Sequence, residues 1–316
     1  MMEQQALAVQ VVAFDATLEN KLAMEAILKA VAYLCEETCV YIYPTGLKLN
    51  AIDNSHVAML LAFIPKELFT DYKCTEDSKI GINVQDLLKI LRRAKSNDEI
   101  QLKLDKKDKN TLLITMKSDK STTTYKIKSK EIPGYDAKEE GLLESFEDTL
   151  KDKFTATIQL EGPVLDDIVK NALIISDLMK VQVMSAEKVI NFTASDESGE
   201  VAIEIDLEGK GVLDKKVQND AEGIYSLNFL ENIIKIQSIT NNFEIALGNN
   251  IPMKIKGAIT SSAGNPTEGR IVYLLAPRVE EQNEDEFGDD FEASDVEDEL
   301  GSGGDDEDSG GDDSEQ

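Results

Sequence analysis

Tryptophan is absent from this chain of 316 residues, histidine occurs once and cysteine three times. Zinc and copper centres built from imidazole and thiolate need three or four such ligands, so carboxylates would have to fill most positions of any transition-metal site. Cys35, Cys39 and Cys74 form neither an even set nor a CxxC pair. Their apolar surroundings predict ordinary buried thiols in a reducing compartment.

Long apolar runs are also missing. The longest, "VAMLLAFI" at 57–64, is far shorter than the roughly 20 residues that span a bilayer. The start, "MMEQQALAVQVVAFD", lacks the basic region and the continuous apolar core of a signal peptide. We therefore expect a soluble protein that is not exported and has no membrane partner.

Acidic charge is abundant but unevenly distributed. The net charge is -28, and residues 280–316 hold 19 acidic side chains without Lys or Arg, which leaves 33 basic against 42 acidic groups elsewhere. A segment so rich in Gly, Ser and like charge cannot offset the entropy of ordering. It is predicted to be a disordered tail that serves solubility, competes with nucleic acid or captures a basic partner.

Similar segments recur in the two halves of the chain. "INVQDLLKI" at 82–90 resembles "LNFLENIIKI" at 227–236, and strand-like runs follow at "EIQLKL" and "EIALGN". Amphipathic helix patterns occur at 16–34 and 162–178, each followed by alternating strand patterns. The spacing is typical of antiparallel meanders, so it predicts an α+β fold made of two similar units.

The boundaries of these units follow from composition. Residues 129–150 break the periodicity with Pro133 and Gly134 and are rich in charge, as is typical of a linker. The sequence predicts an N-terminal domain at 1–128, a linker at 129–150, a C-terminal domain at 151–279 and the acidic tail at 280–316.

Catalytic motifs are lacking. In an extended segment Asp53 and Ser55 would face one way and His56 the other, so these neighbours could not form a triad. Nucleotide-binding GxGxxG and GxxxxGK[ST] motifs, the HExxH metal motif and a complete EF-hand loop do not occur. We therefore expect no catalytic residue, no metal and no cofactor, and a protein that is not an enzyme.

Four segments together resemble a known family: "LKLNAIDNSHVAML", "GINVQDLLKIL", "FTASDESGEVAIEI" and "IVYLLAPRVEE". They are similar to the archaeal and eukaryotic DNA polymerase sliding clamps, the proliferating cell nuclear antigen family, from Phe14 to Glu280. The resemblance implies a ring, usually a homotrimer, with sheets outside and helices lining a pore around double-stranded DNA. It also implies a clamp loader and partners such as DNA polymerase, nuclease and ligase.

The pore helices of such a ring would present basic residues to the phosphates. Contacts of this kind are independent of base sequence and weaken steeply with salt. The candidates are Lys21 and Lys29 on the first helix, Lys89, Arg92, Arg93 and Lys95 on the second, Lys170 on the third and Lys235 on the fourth. The third and fourth helices are only thinly basic, which predicts weak direct affinity.

Two strands have the pattern of edges that need a partner. In the family the corresponding strands pair between subunits. The candidate interface residues are Thr123, Tyr125, Lys126, Ile127 and Lys128 on one strand, and Val201, Ile203, Glu204, Ile205 and Asp206 on the other. Our hypothesis is that Lys126 and Lys128 meet Glu204 and Asp206 across this junction.

The resemblance also assigns the histidine segment to a front-face pocket that receives a short peptide motif of partner proteins. Its candidate residues are Ile52, His56 and Val57 from the first domain and Pro252, Ala276 and Pro277 from the second. His56 would position the partner's backbone or glutamine. Leu274 stands where many relatives carry an aromatic residue, and the residue that covers the pocket, Ile132 or the pair Leu142 and Leu143, stays open.

Two alternatives remain besides the homotrimeric replication clamp. One is a subunit of a heterotrimeric or specialised clamp, and the other is a clamp-fold interaction scaffold that does not encircle DNA. The protein is expected to be cytoplasmic and nucleoid-associated if archaeal and nuclear if eukaryotic; the acidic tail and the lack of a basic import signal favour the first.

Overall fold

The computed structural model describes residues 12–19, 21–132, 145, 148–261 and 263–278. The helices of eight or more residues within these ranges are α1 (Lys21–Leu34), α2 (Val84–Arg93), α3 (Gly162–Leu173) and α4 (Leu227–Ile234).

The strands of the first half are β1 (Val12–Leu18), β2 (Glu37–Tyr43), β3 (Gly46–Ile52), β4 (Ala58–Pro65), β5 (Phe69–Cys74), β6 (Ser78–Asn83), β7 (Glu99–Asp105), β8 (Thr111–Lys117) and β9 (Thr122–Lys128). Those of the second half are β10 (Ala156–Glu161), β11 (Leu178–Met184), β12 (Val189–Asp196), β13 (Gly199–Asp206), β14 (Val212–Val217), β15 (Ala221–Ser226), β16 (Asn242–Leu247), β17 (Met253–Thr260) and β18 (Pro266–Leu275).

Both halves follow the same order of elements. Each has one strand, a helix, five strands, a second helix and three strands. The described strands form three antiparallel sheets, in the orders β5-β1-β7-β8-β9, β14-β10-β16-β17-β18-β4-β3-β2-β6 and β13-β12-β11-β15. The predicted α+β fold with an internal duplication is therefore confirmed.

The nine-stranded sheet continues from one half into the other. Its junction is the antiparallel pair of β18 and β4, in which Tyr273 lies opposite Leu60. Strands β9 and β13, by contrast, each end a sheet among the described residues. The two halves thus share one sheet on one side of the molecule.

Helix α2 shows how the sequence builds these elements. Its buried residues, Val84, Leu87, Leu88 and Leu91, recur with the period of one helical face. The Asn83 side chain caps the N-terminus by accepting a hydrogen bond from the Asp86 amide at 3.0 Å, an interaction that stabilises a helix by about 1 kcal/mol. Helix α2 packs on α1 and α3 packs on α4, and the buried faces join a core shared by both halves.

Two helix predictions were wrong at one end. The pattern at 16–34 was predicted to be one helix, but residues up to Leu18 belong to β1, which pairs with β5 and β7. The pattern at 162–178 ends as a helix at Leu173, and Leu178 begins β11. At 16–18 sheet pairing overrides the local periodicity because it satisfies the backbone hydrogen bonds, and beyond Leu173 the exposed Ile174 lies in the turn that leads to β11.

Candidate functional site

The turn that holds the single histidine joins β3 to β4. The Asp53 carboxylate accepts hydrogen bonds from the amides of Ser55 at 2.9 Å and Ala58 at 2.6 Å, and the His56 amide donates to the Asp53 carbonyl at 3.0 Å. His56 has a φ of 54° and an exposed side chain. The expected alternation of an extended segment is therefore wrong here. Asp53 orders a turn, as short polar side chains commonly do.

The two halves meet directly at this turn. The Ala276 amide donates a hydrogen bond to the Val57 carbonyl at 2.8 Å, just beyond the β4–β18 pairing. Met253 lies opposite Leu275, which brings Pro252 beside Ala276. Residues predicted from distant parts of the chain are thus brought to one place.

These residues share one face of the nine-stranded sheet. Met59 lies opposite both Ile52 on β3 and Leu274 on β18. Because side chains alternate along a strand, Leu274 and Ala276 point to the same side. Ile52, Val57, Pro252 and Ala276 are half-buried there, Pro277 is half-buried beyond the end of β18, and His56 is exposed.

A small apolar cluster lies on the same face, separate from the main core. We call it the outer cluster. It consists of the buried Leu61, Leu150, Val272 and Leu274 with the half-buried Met59, Phe154 and Ile251. Leu150 and Phe154 precede β10, so the segment that leads into the second half covers the cluster.

Sequence reasoning did not find most of this cluster. In "VAMLLAFI" both faces of β4 are apolar, so the pattern cannot tell Met59 and Leu61 from residues of the main core. The sequence leaves open which linker residue covers the predicted peptide pocket. Ile132 lies against Gly81 of β6, three strands away from β4, whereas Leu142 and Leu143 lie outside the described residues.

The basic residues predicted to face DNA divide into two groups. In the first, each lysine lies near a carboxylate three or four residues away: Lys21 and Lys29 lie 3.6 and 3.7 Å from Glu25, Lys89 3.1 Å from Asp86, Lys170 2.5 Å from Asp166 and Lys235 3.4 Å from Glu231. The Lys21 ammonium also donates to the Ala94 carbonyl. Lys89, Lys170 and Lys235 thus each have a carboxylate to themselves, whereas Lys21 and Lys29 share that of Glu25.

The second group is Arg92, Arg93 and Lys95. All three are exposed, and none has an ion pair with another described residue. Two of the predicted placements were wrong. Lys95 lies beyond α2, because Ala94 is extended, and Lys235 follows the end of α4 in a short 3-10 turn.

The pairing of Lys170 with Asp166 affects the electrostatics of α3. Partial burial acts to raise the pKa of Asp166, but hydrogen bonds from Lys170 and Gln237 outweigh it and hold that pKa below its usual value. The same hydrogen bond raises the pKa of Lys170. With Asp167 beside them, this part of α3 has a net negative charge.

The two predicted interface strands have matching burial patterns. On β9, Tyr125 and Ile127 are half-buried and Lys126 and Lys128 are exposed; on β13, Val201, Ile203 and Ile205 are half-buried and Glu200, Glu204 and Asp206 are exposed. The half-buried side chains pack on the main core. Each strand thus offers a backbone edge, with charge of one sign on β9 and of the other on β13.

Across the described ranges, no group of three or more His, Cys, Asp or Glu side chains is arranged to hold a metal ion. No helix in those ranges is long and apolar enough to cross a membrane.

Fold and surfaces together define a class. The chain is a duplicated α+β protein of the clamp type, with half-buried apolar residues of both halves beside the outer cluster and an edge strand in each half. Residues 13–137 match the family model of the proliferating cell nuclear antigen N-terminal domain.

Curated relatives agree with this match. The DNA polymerase sliding clamp of Pyrococcus furiosus is 31% identical over 268 residues, 85% of this chain and 99% of that protein. The one from Nitrosopumilus maritimus is 26% identical over 81% of this chain and 95% of its own length. A crystal structure of PCNA from Thermococcus kodakaraensis superimposes with a TM-score of 0.67 and 22% identity, covering 84% of this chain and all of that one. The chain therefore belongs to the proliferating cell nuclear antigen family of DNA polymerase sliding clamps.

Proposed function

We propose that this sliding clamp closes into a ring of three identical chains around double-stranded DNA and tethers DNA polymerase and other replication and repair enzymes to it. Its domains would be residues 1–128 and 151–279, joined by a linker at 129–150 and followed by the acidic tail at 280–316. The protein would have no catalytic activity and no cofactor. Its archaeal relatives imply a cytoplasmic, DNA-associated protein.

One observation supports the proposed ring. Within the chain β18 of the second half pairs with β4 of the first. By the shared order of elements, β9 is the equivalent of β18 and β13 is the equivalent of β4. Pairing β9 of one chain with β13 of the next repeats the internal junction, removes two exposed edges and generates a closed assembly by rotation. Three chains would make six similar units, the number that family membership implies.

The charge on the helices suits a ring that is held on DNA by topology. Most helix lysines are already paired with carboxylates, so direct attraction for phosphate is small and the clamp can slide. A clamp loader would have to open the ring, since a closed ring cannot thread circular DNA.

The pocket at the junction of the halves would bind the partner enzymes. Ile52, Val57, Pro252, Ala276 and Pro277 would form an apolar seat beside the outer cluster, and His56 would contact the backbone or a glutamine of the partner peptide. The hydrogen bond between Ala276 and Val57 supports this role, because it holds residues of both halves in one surface.

Native mass measured by light scattering over a dilution series is the first test. A ring predicts about 105 kDa, three times the 34.9 kDa of one chain. A monomer at every concentration would favour a subunit of a heterotrimeric clamp or a non-encircling scaffold. Retention on nicked circular DNA, with loss after linearisation, then separates an encircling clamp from a scaffold.

A further inference from the structure

We infer that neighbouring chains pair with Tyr125 of β9 directly opposite Val201 of β13, so that Lys126 faces Glu200. This inference rests on the proposed ring and specifies its interface. It replaces our sequence-based pairing of Lys126 and Lys128 with Glu204 and Asp206.

The alignment of the halves can be read from rows of paired residues that cross each sheet. In the first half one row runs through Ala16, Leu102, Ile114 and Tyr125. In the second half the matching row runs through Ile158, Ile245, Ile255 and Tyr273. If Ala16 corresponds to Ile158, then Tyr125 corresponds to Tyr273.

Two independent features support that correspondence. The pairing of β1 with β5 shifts between Thr17 and Leu18, and the pairing of β10 with β14 shifts between Gln159 and Leu160, one residue beyond Ala16 and Ile158 respectively. The second feature is the distance from a helix N-cap. Leu102 follows Asn83 by the same 19 residues by which Ile245 follows Ser226.

The strands on the other side of the junction are aligned in the same way. Asn83, the N-cap of α2, pairs with Glu37 on β2. Ser226, the N-cap of α4, pairs with Leu178 on β11. Three residues after Glu37, Val40 begins a row of paired residues that continues through Leu49 and Ala62. Three residues after Leu178, Val181 begins the corresponding row through Phe192 and Ile203. Ala62 therefore corresponds to Ile203 and Leu60 to Val201. Since Tyr273 lies opposite Leu60, Tyr125 is expected opposite Val201.

The chemistry of the two edges agrees with this register. Tyr125 and Val201 are both half-buried, so apolar meets apolar, and the exposed Lys126 meets the exposed Glu200. Lys128 is already held in its own chain by Thr111 at 2.8 Å and Asp108 at 3.7 Å. The Asp206 carboxylate likewise accepts a hydrogen bond from the Glu208 amide at 2.8 Å. Two of the four residues of our sequence-based pairing, Lys128 and Asp206, thus already have partners within their own chain.

Disulfide trapping tests the register directly. The register puts Thr124 opposite Ala202, and both side chains are exposed, so cysteines there should not disturb the fold. Directly opposite residues have Cβ atoms about 5 Å apart and diagonal ones about 7 to 8 Å, so only the first pair closes readily. Thr124→Cys with Ala202→Cys should cross-link the ring at least about tenfold faster than Thr124→Cys with Glu204→Cys or Asp206→Cys, with Thr124→Cys alone as the control.

A charge swap gives a second readout. Lys126→Glu should lower the fraction of trimer at a given concentration, and Glu200→Lys in the same chain should restore it, whereas Glu204→Lys should not. A stable trimer that cross-links fastest through position 204 or 206 would overturn the register and leave the ring intact. A monomer under all conditions, with no cross-link at any position, would overturn both.

Discussion

The ring of Tyr33 meets the ring of Phe229 edge to face, with centroids 5.5 Å apart and planes at 84°. Tyr33 lies in the last turn of α1 and Phe229 in the first turn of α4, so the contact joins the helices of the two halves. The β4–β18 pair joins their strands. The halves are therefore joined both through their helices and through their strands. A clamp needs such contacts if each chain is to act as one rigid segment.

Removing this aromatic contact should loosen the halves. Edge-to-face pairs contribute about 0.5–1.5 kcal/mol beyond their buried area, so a double-mutant cycle of Tyr33→Ala and Phe229→Ala should give a coupling of that size in urea unfolding. Tyr33→Phe keeps the ring and should retain most of the coupling. A coupling near zero would show that the rings merely lie close together.

His56 allows backbone and side-chain effects to be separated. Its φ of 54° lies in the left-handed region, which glycine tolerates best and asparagine better than most residues. We expect His56→Gly to be more stable than His56→Ala by about 1 kcal/mol, although both should lose affinity for a partner peptide in calorimetric titration. His56→Asn is the matched control, because it keeps the turn but not the imidazole. Full binding by all three variants would contradict a role for the ring.

The division of basic residues predicts unequal effects on DNA binding. Arg92→Glu or Arg93→Glu should weaken binding to a linear duplex and reduce the slope of log affinity against log salt by about one for each phosphate that the variant no longer neutralises. Lys170→Glu should change the slope less, because Lys170 is already paired with Asp166 at 2.5 Å. Anisotropy titrations at several salt concentrations measure both. Equal effects at the three positions would mean that the paired lysines exchange Asp and Glu for phosphate freely.

Gly81 is predicted to hold the start of the linker against β6. A Cβ atom there would lie 2.1 Å from the Lys130 carbonyl oxygen, and the Lys130 amide donates to the Gly81 carbonyl at 2.9 Å. Gly81→Ala should therefore cost about 1–3 kcal/mol by overpacking and speed hydrogen exchange at the Lys130 amide. Ser129→Ala, which removes the acceptor of the Gly81 amide and a donor to the Lys130 carbonyl at 3.4 Å, should cost about 0.5–1.5 kcal/mol. Unchanged exchange in Gly81→Ala would show that the linker does not depend on this contact.

Cysteine reactivity should report burial. Cys39 is buried as predicted, but Cys35 and Cys74 are only half-buried. Burial raises the pKa of the Cys35 thiol to about 11. The thiol is therefore protonated at pH 8, and its alkylation by iodoacetamide should be slow and should speed up with an apparent pKa near 11.

Because the native pKa is raised, the stability that Cys35 contributes is present below the unfolded pKa of about 8.5 and declines as the pH approaches 11. Cys35→Ala should weaken the dependence of the unfolding free energy on pH over that alkaline range. Rapid labelling of Cys35 at pH 7 would contradict the raised pKa of its thiol.

Local sequence rules carried much of the prediction where one segment decides its own structure. The α2 segment has a clear apolar stripe, so it was identified as the second helix of the first half. The paired similarity of 82–90 and 227–236 revealed the duplication for the same reason. The rules failed at 16–18, where pairing with β5 and β7 competes with the helix pattern, and at 174–178, where the chain turns into β11.

The sequence by itself determined the α+β class, the two similar units and the scarcity of imidazole and thiolate ligands, because composition and periodicity act over neighbouring residues. Tertiary structure alone decided the hydrogen bond between Ala276 and Val57 and the outer cluster, which contains residues of both halves. It also decided the register of each strand pair, from which the contact of Tyr125 with Val201 follows. These features depend on contacts between residues far apart in the chain, whose alignment no local pattern specifies.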